Sequence, residues 1–211
     1  MSNSPSAMTN DQSPITNFYI FWFQWVCVTL VGFLVSLLWI EVGERPDIGV
    51  LEGAIGGSAV GLAQAFVLRQ QVEVSKTMPN AIAGWWVLTS VLSWGLIGGS
   101  GVGAIGWVAP RTLLFEARII FGIFNGGLAG ALLGLLQGLV LFQQAQKAWI
   151  WVLVSSVSWA MGLAMGWAVG GLLREATRLF VSEVVGLAVA WVIVAAITGV
   201  ALIGLVRFKP G

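Results

Sequence analysis

Six apolar runs punctuate the chain, covering positions 18–40, 48–68, 83–105, 119–142, 149–173 and 183–206. Each is close to, or longer than, the roughly 20 residues that carry a helix across a bilayer core. A segment in hydrocarbon must satisfy its backbone N–H and C=O groups internally, so runs of this length predict helices. Six crossings return the chain to the side it started from, which predicts both termini on one face. Residues 1–17 are rich in Ser, Thr, Asn and Gln, with Asp11 their one charge. They lack the basic segment of a secretory signal, and the expectation is a retained, disordered polar tail ahead of a single membrane domain over 18–207.

Within the runs, small residues recur at helical spacing. Gly122, Gly126, Gly130, Gly134 and Gly138 stand at every fourth position of helix 4, and Gly53, Gly57 and Gly61 do the same in helix 2. Helix 3 carries Gly95, Gly99 and Gly103, and helix 5 carries Ser158, Gly162, Gly166 and Gly170. Lipid tails provide no hydrophobic drive for helices to associate, so small residues matter because they let backbones approach and gain packing contacts. Each four-residue step drifts about 40° around a 3.6-residue helix. The long ladder therefore predicts a central helix 4, with neighbours on more than one side or one steep right-handed crossing. Helix 1 opens with Phe18, Tyr19, Phe21, Trp22, Phe23 and Trp25 and has few small residues. It is expected to face lipid, and Gly32→Leu there is expected to do less harm than Gly130→Leu.

A repeat underlies the runs. Trp86-Val87-Leu88-Thr89-Ser90-Val91-Leu92-Ser93-Trp94 returns as Trp151-Val152-Leu153-Val154-Ser155-Ser156-Val157-Ser158-Trp159, identical at six of nine positions. The same 65-residue offset pairs Thr112 with Thr177, Phe115 with Phe180 and Gly134 with Gly199. The first hairpin matches more loosely through Trp25-Val26, and its Gly61-Leu62-Ala63-Gln64 corresponds to Gly134-Leu135-Leu136-Gln137, with Leu202 in the third place. The reading is an all-α, polytopic integral membrane protein. Its six transmembrane helices form three tandem hairpins, about 18–70, 83–143 and 149–207, in a Gly-rich close-packed bundle. Equal orientation of the hairpins suggests a pseudo-threefold arrangement about the bilayer normal. The connecting stretches 107–118 and 172–183 mix charge with apolar residues, as surface amphipathic helices or as extensions of helices 4 and 6. Pro46 and Pro110 suit the first turn of a helix, where a missing N–H costs little.

Composition sharpens the class. Charged residues make up 9% of the chain, against about 25% in an average soluble protein. There is no His and one Cys, Cys27, which leaves neither a disulfide framework nor a Cys/His metal site. No cofactor is expected. Ten Lys and Arg against nine acids, nowhere clustered, give no support to nucleic-acid binding. Basic residues divide equally between the two membrane sides, so the positive-inside rule does not orient the chain. Acids crowd the side away from the termini but contribute little to orientation; the basic residues on the terminal side are less neutralised by neighbours, which favours cytoplasmic termini, in a bacterial inner or thylakoid membrane.

The polar interior candidates are few. Gln64 and Gln137 lie on the glycine faces of their helices near the terminal-side surface, where a buried amide needs a partner. Ser90, Ser93, Ser155 and Ser158 hold matching repeat positions and are expected to back-bond or pack. No base lies near them in sequence, which argues against nucleophilic catalysis. Glu52 and Glu183 stand near the starts of helices 2 and 6, where the dipole favours an anion, and are read as interfacial carboxylates. Trp22, Trp25, Trp39, Trp85, Trp86, Trp107, Trp149 and Trp151 fall near helix ends and read as an interfacial belt. Trp94, Trp159 and Trp191 lie deeper, on a surface facing lipid or lining a hydrophobic groove.

At Ala83-Gly84-Trp85-Trp86-Val87-Leu88 and Gly61-Leu62-Ala63-Gln64-Ala65-Phe66-Val67-Leu68-Arg69 the chain resembles a loose group of Trp- and Gly-rich polytopic membrane proteins of cyanobacteria and other bacteria. The resemblance covers most of helices 2 to 5 and implies no activity. Dense packing ladders and scarce catalytic groups lead to the expectation of a non-enzymatic scaffold or assembly factor. Its partners would be the bilayer, further copies of itself or a larger membrane complex. A small transporter or channel is the alternative, and a lipid- or pigment-binding protein the third.

Overall fold

The computed structural model describes residues 14–44, 48–71, 81–142 and 147–205. Its six helices are α1 (Pro14–Ser36), α2 (Val50–Gln71), α3 (Ala81–Gly99), α4 (Phe115–Leu141), α5 (Trp149–Thr177) and α6 (Val181–Leu205). All six are long and apolar enough to cross a membrane. Large apolar side chains remain on the outside, among them Leu38, Leu128, Phe124, Leu62 and Leu139. In water such a surface would aggregate; in lipid it is the solvated face.

Each helix packs against its chain neighbours and α1 closes on α6, so the bundle is a ring of six helices. This corrects the expected central position of helix 4. Its glycines all turn toward α5: a Cβ built on Gly122, Gly126, Gly130 or Gly134 would collide with the backbone at Ala164, Trp159, Ser155 or Val152 respectively, and one on Gly138 would touch the Val152 side chain. As the ladder advances four residues, the contact on the antiparallel partner retreats three to five. A contact repeating every four residues, longer than 3.6, stays on the interface when the pair winds right-handedly. One partner can therefore use the whole ladder.

Gly53, Gly57 and Gly61 of α2 meet Trp94 and Ser90 of α3 in the same way, and Gly199 of α6 meets Trp22 and Trp25 of α1. Close backbone approaches thus cross two of the hairpin boundaries read from sequence, α2 to α3 and α4 to α5, while in the third hairpin Gly162, Gly166 and Gly186 bring α5 and α6 together. Helix α1 presents Tyr19, Phe23, Val31 and Leu34 outward, as expected of a lipid-facing helix, but its other face is packed into the bundle. Phe21, Trp25, Thr29, Phe33 and Ser36 are buried, and a Cβ on Gly32 would lie 2.8 Å from the Val60 Cα.

At the end away from the termini the connections differ from expectation. Helix α3 stops at Gly99, helped by left-handed backbone at Gly101 (φ 81°) and Gly103 (φ 73°). The chain then folds back into the bundle mouth, and every residue from 103 to 110 is buried. A two-residue parallel pairing ties this segment, through β2 (Val108–Ala109), to β1 (Gly43–Glu44) in the link between α1 and α2. Trp107 anchors it, its indole lodged against Gly56, where a Cβ would overlap the ring. Pro110 thus lies inside this segment and not at a helix start, and Pro46 lies outside the described residues. No amphipathic surface helix forms over 107–118. The second stretch, 172–183, simply lengthens α5 to Thr177 and joins α6 through a short turn, with Arg178 capping α5 in left-handed backbone (φ 62°).

Candidate functional site in the bundle interior

Near the terminal-side end, indoles and amides alternate between helices. Gln64 on α2 donates through Nε2 to Thr29 Oγ1 on α1 (3.0 Å) and accepts at Oε1 from Trp86 Nε1 on α3 (3.0 Å). Gln137 on α4 donates to Ser90 Oγ on α3 (3.1 Å) and accepts from Trp151 Nε1 on α5 (3.3 Å). Each amide therefore bridges the helices on both sides of its own. In the third place Leu202 is fully buried, and Trp25 Nε1 on α1 donates instead to Thr198 Oγ1 on α6 (3.1 Å). Trp86 packs edge-on against both Trp25 and Trp151, with ring centroids 5.9 and 5.6 Å away.

Two turns further in, Trp94, Trp159 and Trp191 form a triangle with centroid separations of 5.0, 4.8 and 5.5 Å. Trp107 covers this triangle, 4.9 Å from Trp94 and 5.4 Å from Trp191, and Phe33 packs on Trp107 and Trp191. The buried indoles of Trp107, Trp167 and Trp191 donate to Ser36 Oγ, the Val108 carbonyl and the Gly106 carbonyl. Edge-to-face and tilted packing suits the ring quadrupoles, and these three N–H groups have the partners that a buried indole usually finds. Trp25, Trp86, Trp107 and Trp151 are thus interior residues, a correction to the interfacial belt; Trp39, Trp85 and Trp149 remain exposed. The deeper Trp94, Trp159 and Trp191 face the bundle core and not lipid.

Between the two indole layers lies a cavity of about 30 Å³ lined by residues of all six helices, including Gln64, Ser90, Gln137, Ser155 and Thr198. None of the lining residues is more than 8% exposed.

Beyond the upper indole layer sits an ion pair. Arg118 (0% exposed) and Glu183 (2%) face each other in a two-point contact, Nη2 to Oε1 at 2.6 Å and Nη1 to Oε2 at 2.9 Å. Arg118 also donates through Nε to the Thr112 carbonyl (2.7 Å), through Nη1 to Trp167 (2.7 Å) and through Nη2 to Pro110 (3.1 Å). All five N–H donors of the guanidinium are used. Gly170 and Gly171 make the room: a Cβ on Gly171 would meet Arg118, and one on Gly170 would meet Glu183. Arg174 links Glu183 Oε1 (3.3 Å) to Glu44 (3.2 Å), and Arg111 reaches Glu44 from the surface (3.6 Å). The chain of charge thus runs from a dry pair to the membrane boundary.

Glu183 is therefore no interfacial carboxylate, whereas Glu52 is partly buried and accepts from the Gly49 N–H at its helix start. The sequence carried one signal for the pair: Arg118 and Glu183 are 65 residues apart, the repeat offset, so corresponding positions hold opposite charges. Of the serines, Ser90, Ser93 and Ser158 bond the carbonyls of Trp86, Thr89 and Ser155. Sequence reasoning missed Thr29 and Thr198, although Thr29 stands four residues after Trp25 as Ser90 does after Trp86. Among the described residues no group of three or more His, Cys, Asp and Glu could hold a metal ion. No protein-family profile, curated protein or solved structure matches the chain.

Proposed function

We propose that the chain is a non-enzymatic integral membrane protein, a scaffold or assembly factor that works through its outer helix faces. The observation that carries this reading is the contrast between interior and exterior. Inside, indoles fill the axis, the two amides are bonded to indoles and hydroxyls of neighbouring helices, and Arg118 and Glu183 are bonded to each other. Outside, a groove of about 510 Å³ runs between α1 and α2, lined by Val35, Trp39, Ile55, Ser58, Ala59 and Leu62. Small residues flanked by large apolar ones suit close approach of a neighbouring helix. The bacterial inner or thylakoid membrane is the proposed location. Pairing of Arg111, Arg118 and Arg174 with Glu44 and Glu183 supports cytoplasmic termini, because it offsets basic charge on the opposite side.

The test is purification in mild detergent at native expression level, with the mass of the intact complex measured. A complex larger than one chain, reduced to the monomer by Ser58→Trp without loss of thermal stability, is the expected result. A monodisperse monomer with no protein partner overturns the reading. One observation favours a small transporter instead: Gln64, Gln137, Ser90, Ser155 and Thr198 surround a cavity on the bundle axis. Solute flux in proteoliposomes, abolished by enlarging a lining side chain, would decide for it.

A further inference from the structure

Three helices carry the same pair, an indole and a hydroxyl four residues later: Trp25 and Thr29 on α1, Trp86 and Ser90 on α3, Trp151 and Ser155 on α5. Thr29 accepts from Gln64 and Ser90 from Gln137. The residue that would serve Ser155 is Leu202, which has no donor to give. Trp25 is compensated by Thr198, but Ser155 is not. Its side chain lies in a residue only 2% exposed, and among the described residues its hydroxyl has no hydrogen-bond partner. Even the bond to the preceding turn, which Ser90 makes to the Trp86 carbonyl, is not made by Ser155.

Ser155 lines the central cavity of about 30 Å³. A water needs roughly 10–15 Å³ of such space and two to four polar partners. Ser155 Oγ can both donate and accept, and the Oε1 atoms of Gln64 and Gln137, each receiving one indole N–H, keep a second lone pair. We propose that this cavity is a binding site for a neutral, water-sized hydrogen-bonding molecule, water itself in the resting protein, held on Ser155 where a third glutamine amide would stand. The walls select for this class. Indoles above and below limit the guest to the size of one or two waters. No acid or base lines the space, so an ion would give up its hydration with no opposite charge to replace it. The nearest buried charges, Arg118 and Glu183, are bonded to each other beyond the Trp94, Trp159 and Trp191 layer.

The test joins a structure at a resolution that shows ordered water with thermal unfolding of Ser155→Ala and Leu202→Gln in detergent. Density within hydrogen-bond distance of Ser155 Oγ is expected in the unaltered protein. In Leu202→Gln the amide should take its place and the density should be gone. Ser155→Ala removes the anchor, and its midpoint should fall by about 2–4 °C, the shift ordinarily produced by losing one such contact in a chain this long. A dry cavity gives the opposite sign, because alanine then replaces an unsatisfied buried hydroxyl and raises the midpoint. That rise, or a cavity without density, overturns the proposal. Should Leu202→Gln not fold, the sign of the Ser155→Ala shift and the density in the unaltered protein still decide.

Discussion

Arg118 shows how a charge can be held inside an apolar bundle. Its five donors meet three main-chain carbonyls and both oxygens of Glu183, so neither ion keeps an unanswered polar group. Such a pair need not add net stability, but removing one partner strands the other in low dielectric at a cost of about 3–5 kcal/mol. Glu183→Gln and Arg118→Met are each expected to lower the unfolding midpoint in detergent sharply. Arg118→Met combined with Glu183→Leu should recover much of the loss, because the uncompensated charge is gone. A double variant as unstable as the sum of the singles would show that the carbonyl contacts, and not the pairing, dominate. At this scale the sequence was partly legible. Gln64 and Gln137 stand out because an amide in a glycine-lined apolar helix must find a partner. Arg118 and Glu183 read as surface residues, since each lies within the first turn of its helix. What buries them is long-range packing that no local pattern encodes: the carbonyls of Pro110, Thr112 and Trp167 meet Arg118, and Gly170 and Gly171 of α5 close on the pair.

At the scale of elements, the six helices followed directly from the length of the apolar runs, to within a few residues at most ends. The end of α3 did not, because residues 100–110 are as apolar as a helix yet turn inward at Gly101 and Gly103. Apolar composition reports burial and is silent on whether the buried backbone is helical. The glycine ladders were legible as packing faces but not in their choice of neighbour, which depends on how far a helix pair winds. Their energetics separate by position. A Cβ on Gly126 or Gly130 meets the α5 backbone, whereas one on Gly84 or Gly204 has nothing within 4 Å. Gly126→Ala and Gly130→Ala are expected to destabilise the protein by about 1–3 kcal/mol, the usual range for overpacking, while Gly84→Ala and Gly204→Ala should be neutral or slightly stabilising. Gly32→Leu should now do harm comparable to Gly130→Leu, since both positions abut a neighbouring backbone. Unfolding midpoints of the six variants check the ranking, and a mild Gly32→Leu would restore a peripheral α1.

For the whole molecule the ring closure of α1 on α6 and the filled axis have separate consequences. Six crossings require that a reporter active on one side of the membrane give the same answer at the N-terminus, at the C-terminus and in the link near Lys147. A discordant C-terminus would leave an odd number of spans. The filled axis makes a sharper demand, because the layer of Trp25, Trp86 and Trp151 separates the central cavity from the terminal side, and the triangle of Trp94, Trp159 and Trp191 separates it from the other. In a Cys27→Ala background, which removes the one native cysteine, Ser155→Cys should stay unmodified by a membrane-impermeant maleimide applied from either side. Lys147→Cys, at an exposed position, should react from one side. Labelling at 155 within the same time would mean that the indole layers part to admit water-borne reagents. The bundle would then work by opening its axis, and the transporter reading would displace the scaffold.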